Sequence, residues 1–250
     1  MKHRIFIPRL VGGGLILALA VILLLSACAA PPPTSTPTPA PVWLKVQYPA
    51  SLGNLSADFT ACVPDGVGLV VQEGAGMAFD EAEADLALAW AAPESILGYA
   101  AELGSEELVV IVHPENKIPS LDIEDLRLIY GGHLADWDFL GQSPLALQAW
   151  APLASSDMRA LFVEAVLSPD LALGRAIGIA PSPLAMREAV AADPGALGVL
   201  PRRWVDSSVR IVPISDLPGG ALTRPILAFS ASEPQGPARA WLACLQERLE

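Results

Sequence analysis

The chain has 250 residues, with 27 acidic against 15 basic side chains, a formal net charge of −12 and 52% apolar residues. That length and apolar content suffice for one large domain or two small lobes, while the acidity repels nucleic acid and anionic membrane surfaces and so excludes a nucleic-acid-binding role. With no CxxC, HExxH or histidine cluster, the sequence offers neither a metal site nor a cofactor site.

The first segment reads as an export signal. "MKHRIFIPR" is a basic n-region, "LVGGGLILALAVILLL" an apolar core, and "LSAC" sets small residues before Cys28. Leu25-Ser26-Ala27-Cys28 resembles the bacterial lipobox, which implies cleavage of a signal peptide over 1–27 and acylation of Cys28. The alternative is an uncleaved anchor, against which the shortness of the apolar run argues. Loss of Lys2, Arg4 and Arg9 with the signal would leave 12 basic against 27 acidic residues. The Pro/Thr-rich stretch over 28–41 favours extended polyproline II and has little to bury, so it predicts a semi-rigid tether. The expected location is the outer face of the bacterial cell membrane, held there by the lipid on Cys28.

Structured sequence begins near Val42. "WLKVQYP" predicts a strand, and "SLGNLSADFTACV" a loop and short helix with Leu55, Phe59 and Cys62 on one side. "GVGLVVQEGAG" and "EADLALAWAAP" predict two more strands, and "ESILGYAAELG" a short helix. The β-branched run Val109–Val112 is a strand broken at His113-Pro114. Ser120 is placed to cap a helix carrying Asp122, Glu124 and Asp125 in its first turn, with Ile123, Leu126 and Ile129 at helical spacing until Gly131-Gly132.

Further on, "SPLALQAWAPLASS" predicts a strand running into a serine loop, and "DMRALFVEAVL" a helix. "SPLAMREAVAADPG" predicts a second helix, opened by Ser182-Pro183 and closed at Pro194-Gly195. "ALGVLPR", "VRIVPI" and "RPILAFSA" are short strands, and "PQGPARAWLACLQERLE" is the last helix. The alternation argues for an α/β protein with largely parallel sheets. Cys62 and Cys244 form an even pair in an exported chain, which invites a disulfide; two buried thiols are the alternative.

The ordered wording "EADLALAW…EELVVIVHPENKIPSLDIEDLRLIYGGHLADW" resembles the type 2 periplasmic binding proteins, most closely the phosphate-binding branch of ABC transporter receptors. The matching pieces are Asp85-Leu86-Ala87, Val112 through Asn116, Leu121 to Leu128, and Ile129-Tyr130-Gly131 with Trp137. "SSDMRALF" stands where that family has a "SGTR…F" loop-helix, and "DPGALGVLP" where it has "PGAIGY". The resemblance spans nearly all of 43–249. It implies a two-lobed fold, each lobe a mostly parallel sheet flanked by helices, joined by two hinge crossings at "VIVHPENKI" and near "GVLPRRWVDSSVRIV". The implied division is 42–114 for the first part of lobe 1, 115–199 for lobe 2, and 200–250 for the return and the rest of lobe 1. A single-lobe sandwich with an ordinary β–α junction is the alternative.

The resemblance further implies a monomeric extracytoplasmic solute-binding lipoprotein of an ABC-type importer, docking on a permease and holding a small anion or anionic solute between its lobes. Ser51, Asn54, Trp90, Ser155, Ser156, Arg159 and Ser182 are the candidate ligand residues, on loops that open helices, where free N–H groups favour an anion. For each serine, simple N-capping is the competing role. Asp157 and Met158 stand where the family has glycine and threonine, so tight phosphate binding is not expected. No nucleophile is paired with a base and nothing resembles GxSxG, so no enzyme is expected. The alternative function is a degenerate binding-protein scaffold acting as a sensory or protein-interaction module.

Overall fold

In the computed structural model of the protein, residues 40–74, 84–90 and 98–249 are described. The expected signal peptide, Cys28 and most of the tether lie outside the described residues. Among the described residues no helix is long and apolar enough to cross a membrane.

Strand β1 (Val42–Pro49) alternates outward Trp43 and Lys45 with buried Leu44 and Val46, the period-two pattern of a half-buried strand. It pairs in parallel with β2 (Val67–Gly74) at the sheet edge and with β3 (Leu86–Trp90), whose five residues are all buried. Strand β4 (Tyr99–Val112) is the longest; β5 (Gln148–Pro152), β6 (Gly178–Ala180), β7 (Ala196–Pro201), β8 (Arg210–Val212) and β9 (Thr223–Ser230) complete the set. Their order is β2-β1-β3-β9-β4-β7-β5-β6, with β8 also on β4. Among the described residues the α-helices are α1 (Ser56–Ala61), α2 (Ile123–Tyr130), α3 (Asp157–Phe162), α4 (Pro183–Ala192) and α5 (Gly236–Leu249).

The arrangement is the two-lobed periplasmic-binding-protein type 2 fold. Strands β1, β2 and β3 run parallel in one lobe, as do β5, β6 and β7 in the other. The antiparallel pairings gather on β4 and β9, which connect the lobes. Strand β4 pairs with β9 through Glu107↔Thr223 and with β7 from Leu108↔Pro201 onward. Strand β4 therefore exchanges one partner strand for another at Glu107-Leu108. The loop "HPENKI" beyond it is fixed to β8, because the Arg210 guanidinium donates to the Asn116 and Ile118 carbonyls at 2.8 and 2.7 Å. Partner exchange takes place inside a continuous strand, and an apolar run does not mark where it happens.

Two expectations are corrected. The helix expected over "ESILGYAAELG" is, from Tyr99 onward, the start of β4, paired with β9 across a register shift between Glu102 and Gly104. Ala100, Ala101 and Glu102 are good helix formers, but sheet pairing overrides local propensity. Gly104 (φ +151°) suits the irregularity, and a Cβ there would lie 2.9 Å from the Leu249 carbonyl oxygen. Asp122 rather than Ser120 caps α2, in a reciprocal capping box with Asp125. The three-residue β6, beside β5, had no separate sequence signal.

Helices α1 and α5, far apart in sequence, are joined to each other. Cys62 is bonded to Cys244 with a Cα–Cα separation of 5.5 Å. Trp241 Nε1 donates to the Phe59 carbonyl at 2.9 Å, and Arg248 pairs with Asp58 at 2.7 Å.

Candidate functional site

In open α/β sheets the C-terminal ends of parallel strands face the binding crevice, because the loops there lead into helix N-termini. Here the carboxyl ends of β1, β2 and β3 from one lobe and β5 and β6 from the other converge on one cavity of about 340 Å³. Pro49 to Ser51, Glu73-Gly74 and Leu88 to Trp90 line one side; Pro152 to Met158, Ala160, Ala180 to Pro183 and Met186 line the other.

Of the seven expected ligand residues, Ser51, Trp90, Ser155, Ser156 and Ser182 line this cavity. Asn54 and Arg159 do not. Asn54 lies at the end of the 3-10 turn Ala50–Leu55, three residues past the lining Ser51. Arg159 Nη1 lies 3.4 Å from the Pro152 carbonyl, and partial burial lowers its pKa against the opposing pull of Tyr130.

The hydroxyls are unequally available. Ser51 Oγ donates to Asp157 Oδ2 at 2.5 Å, while Ser156 Oγ donates to the Leu153 carbonyl at 2.8 Å and accepts from Arg159 N as the α3 N-cap. Ser182 Oγ accepts from Ala185 N as the α4 N-cap, which leaves its own proton free to donate. Trp90 is buried, and its indole N–H donates to the Glu106 carbonyl at 3.2 Å, so it offers the cavity an apolar surface.

Asp157 is the feature that sequence reading noted as a departure without assigning it to the site. Its Oδ1 accepts from Met158 N at 2.8 Å and its Oδ2 from Ser51, yet burial outweighs both bonds and raises its pKa above the ordinary aspartate value. Met158 and Met186, also unassigned, supply apolar lining; Met186 sits four residues after Ser182, on a spacing that faces the same helix side.

The lobe crossing also carries an ion pair whose carboxylate is buried and whose arginine is partly exposed. Glu106 on β4 is 4% exposed, and desolvation raises its pKa despite the favourable charge of Arg203. Arg203 Nε approaches Glu106 Oε2 at 3.3 Å, close enough for attraction but outside hydrogen-bond geometry, so that oxygen lacks a donor. Next to it Trp204 Nε1 donates to the Ser51 carbonyl at 2.7 Å, tying the return segment to the cavity wall.

No family model matches the chain, and no curated protein matches it in sequence. Solved structures match the fold. A protein from Clostridium perfringens, described as a phosphate ABC transporter substrate-binding protein with bound phosphate, is similar at TM-score 0.68 and 18% identity, over 81% of this chain and 92% of that one. An ABC-type phosphate transport receptor from Vibrio cholerae gives 0.59 and 17%, over 81% and 93%. The reduced OxyR regulatory domain from Pseudomonas aeruginosa gives 0.56 and 17%, over 83% and 97%. At these identities the likeness establishes the fold: transport receptors and regulatory domains share it, and the ligand has to be argued from this chain's own cavity.

Proposed function

We propose that this chain is an extracytoplasmic solute-binding lipoprotein, anchored through Cys28 and delivering a small solute to an ABC-type permease as a monomer. The observation that carries the reading is the convergence of five parallel-strand ends from two lobes on one cavity of about 340 Å³, within the range of small-molecule sites. The bond from Ser51 to Asp157 across the cleft supports it, since a contact placed there would be lost if the lobes separated. The likeness to transport receptors agrees, and the order of export signal, tether and folded body suits a receptor held outside the membrane.

The anion implied by the sequence resemblance would have to rely on the Ser155 and Ser182 hydroxyls and backbone N–H groups, because Arg159 does not reach the lining. A sensory module is the second reading, supported by the likeness to regulatory domains. Titration calorimetry of the full-length protein in neutral detergent, with and without Ala154→Trp, tests solute binding. Ala154 is an exposed lining residue, so the indole should fill the cavity without disturbing the core. Saturable binding abolished by the substitution is expected. Binding that survives it would place the solute elsewhere.

A further inference from the structure

We infer that the cleft takes a small protonated amine, its ammonium group on the Asp157 carboxylate and its hydrocarbon part against Leu88, Met158 and Met186. This rests on the solute-binding reading and specifies the chemistry of the solute.

The first support is the count of donors and acceptors. Two of the four lining serines already donate within the protein, Ser51 to Asp157 and Ser156 to Leu153, and the Trp90 N–H is engaged on Glu106. Asp157 and Glu73 bring two carboxylates, and no Lys, Arg or His occurs among the described lining residues. The segments 75–83 and 91–97, outside the described residues, contain none in their sequence either. Such a wall accepts hydrogen bonds more readily than it donates them, so the fitting ligand is a donor.

The second support is the state of Asp157. Each carboxylate oxygen accepts one hydrogen bond, which leaves lone pairs over, and no basic side chain forms an ion pair with it among the described residues. A part-buried carboxylate without a counter-charge is costly, and a ligand ammonium supplies that charge through short charge-assisted bonds. An oxyanion would add like charge to the same place. The net charge of −12 acts in the same direction at longer range, drawing cations and repelling anions. The third support is the apolar share of the lining, which gives an alkyl body a surface that a bare inorganic ion cannot use.

Calorimetry of the full-length protein near neutral pH, with n-butylamine and ethanolamine against phosphate, sulfate and acetate, tests this. The amines should bind and the oxyanions should not. Asp157→Asn should weaken amine binding by roughly tenfold or more, below the full scale for a buried charge partner because the carboxylate is part-buried. Glu73→Gln, on an exposed position, should weaken it less and guards against misfolding of the first variant. An oxyanion that binds more tightly than either amine, or amine affinity unchanged in a folded Asp157→Asn protein, overturns the amine assignment and leaves the solute-binding reading standing. Silence from every probe, with wild type no different from Ala154→Trp, overturns both.

Discussion

Ser51 and Asp157 lie 106 residues apart in sequence and meet across the cleft, the serine hydroxyl donating to the carboxylate at 2.5 Å. The serine belongs to the loop after β1 in one lobe and the aspartate opens α3 in the other. The contact joins the lobes and places the carboxylate in the cavity wall.

The same carboxylate sets a pH dependence. Its folded-state pKa is raised, chiefly by burial, so the folded protein holds this proton more tightly than the unfolded chain. The contribution to stability is fully present below the ordinary aspartate pKa and is lost as pH rises through the folded value. Asp157→Asn should therefore melt no lower, and by this account higher, than wild type near neutral pH, with the difference vanishing in acid. Thermal unfolding over a pH series checks it; a variant that melts lower at neutral pH would contradict it.

Arg203→Ala should destabilise the protein more than Glu106→Gln. Removing the arginine leaves a carboxylate with a 3% exposed side chain without its counter-charge. Loss of one partner in a fully buried pair costs about 3–5 kcal/mol. With the arginine side chain 35% exposed, a discounted cost of roughly 1–3 kcal/mol is expected. Urea unfolding of the two variants measures the difference.

Reduction of Cys62–Cys244, or Cys244→Ala, should cost about 2–4 kcal/mol, the usual range for a bond closing a long loop. The bond spans 182 residues and joins α1 to α5, so the loss should appear first as exposure of Trp241, which packs against Phe59 at 5.8 Å between ring centroids. Hydrogen exchange over α1 and α5 reads it directly.

Cys28→Ala should release the protein from the membrane fraction or leave it mislocalised. Intact-mass analysis of the membrane-bound wild type should show a chain beginning at an acylated Cys28. An unmodified Met1 terminus would contradict the lipid anchor.

The residues that made the fold legible are those that hold it together. Tyr130 donates to the Trp150 carbonyl at 2.9 Å, Trp137 to the Gly195 carbonyl at 2.9 Å, and the Asn116 side chain accepts from Ile118 N at 3.0 Å. Tyr130 and Trp137 tie separate segments together and Asn116 fixes the turn of its own loop, so each residue type is set by a fixed local geometry. The cavity was less legible because its lining comes from five strand ends dispersed from Pro49 to Met186. Arg159 shows the limit: it occupies the expected position after the serine loop, yet the rotation of α3 sends its guanidinium toward Pro152 and turns Asp157 and Met158 into the lining. Tyr99 to Gly104 read as helix because nothing local reports a pairing with β9, more than a hundred residues away.

The most direct test of the interlobe cleft as a solute site is native mass spectrometry of the full-length protein taken gently from its own membrane, beside Ala154→Trp prepared in the same way. Wild type should carry one small solute at a fixed mass, absent from the variant. The same solute at equal occupancy on both proteins, or none on either, would contradict the assignment.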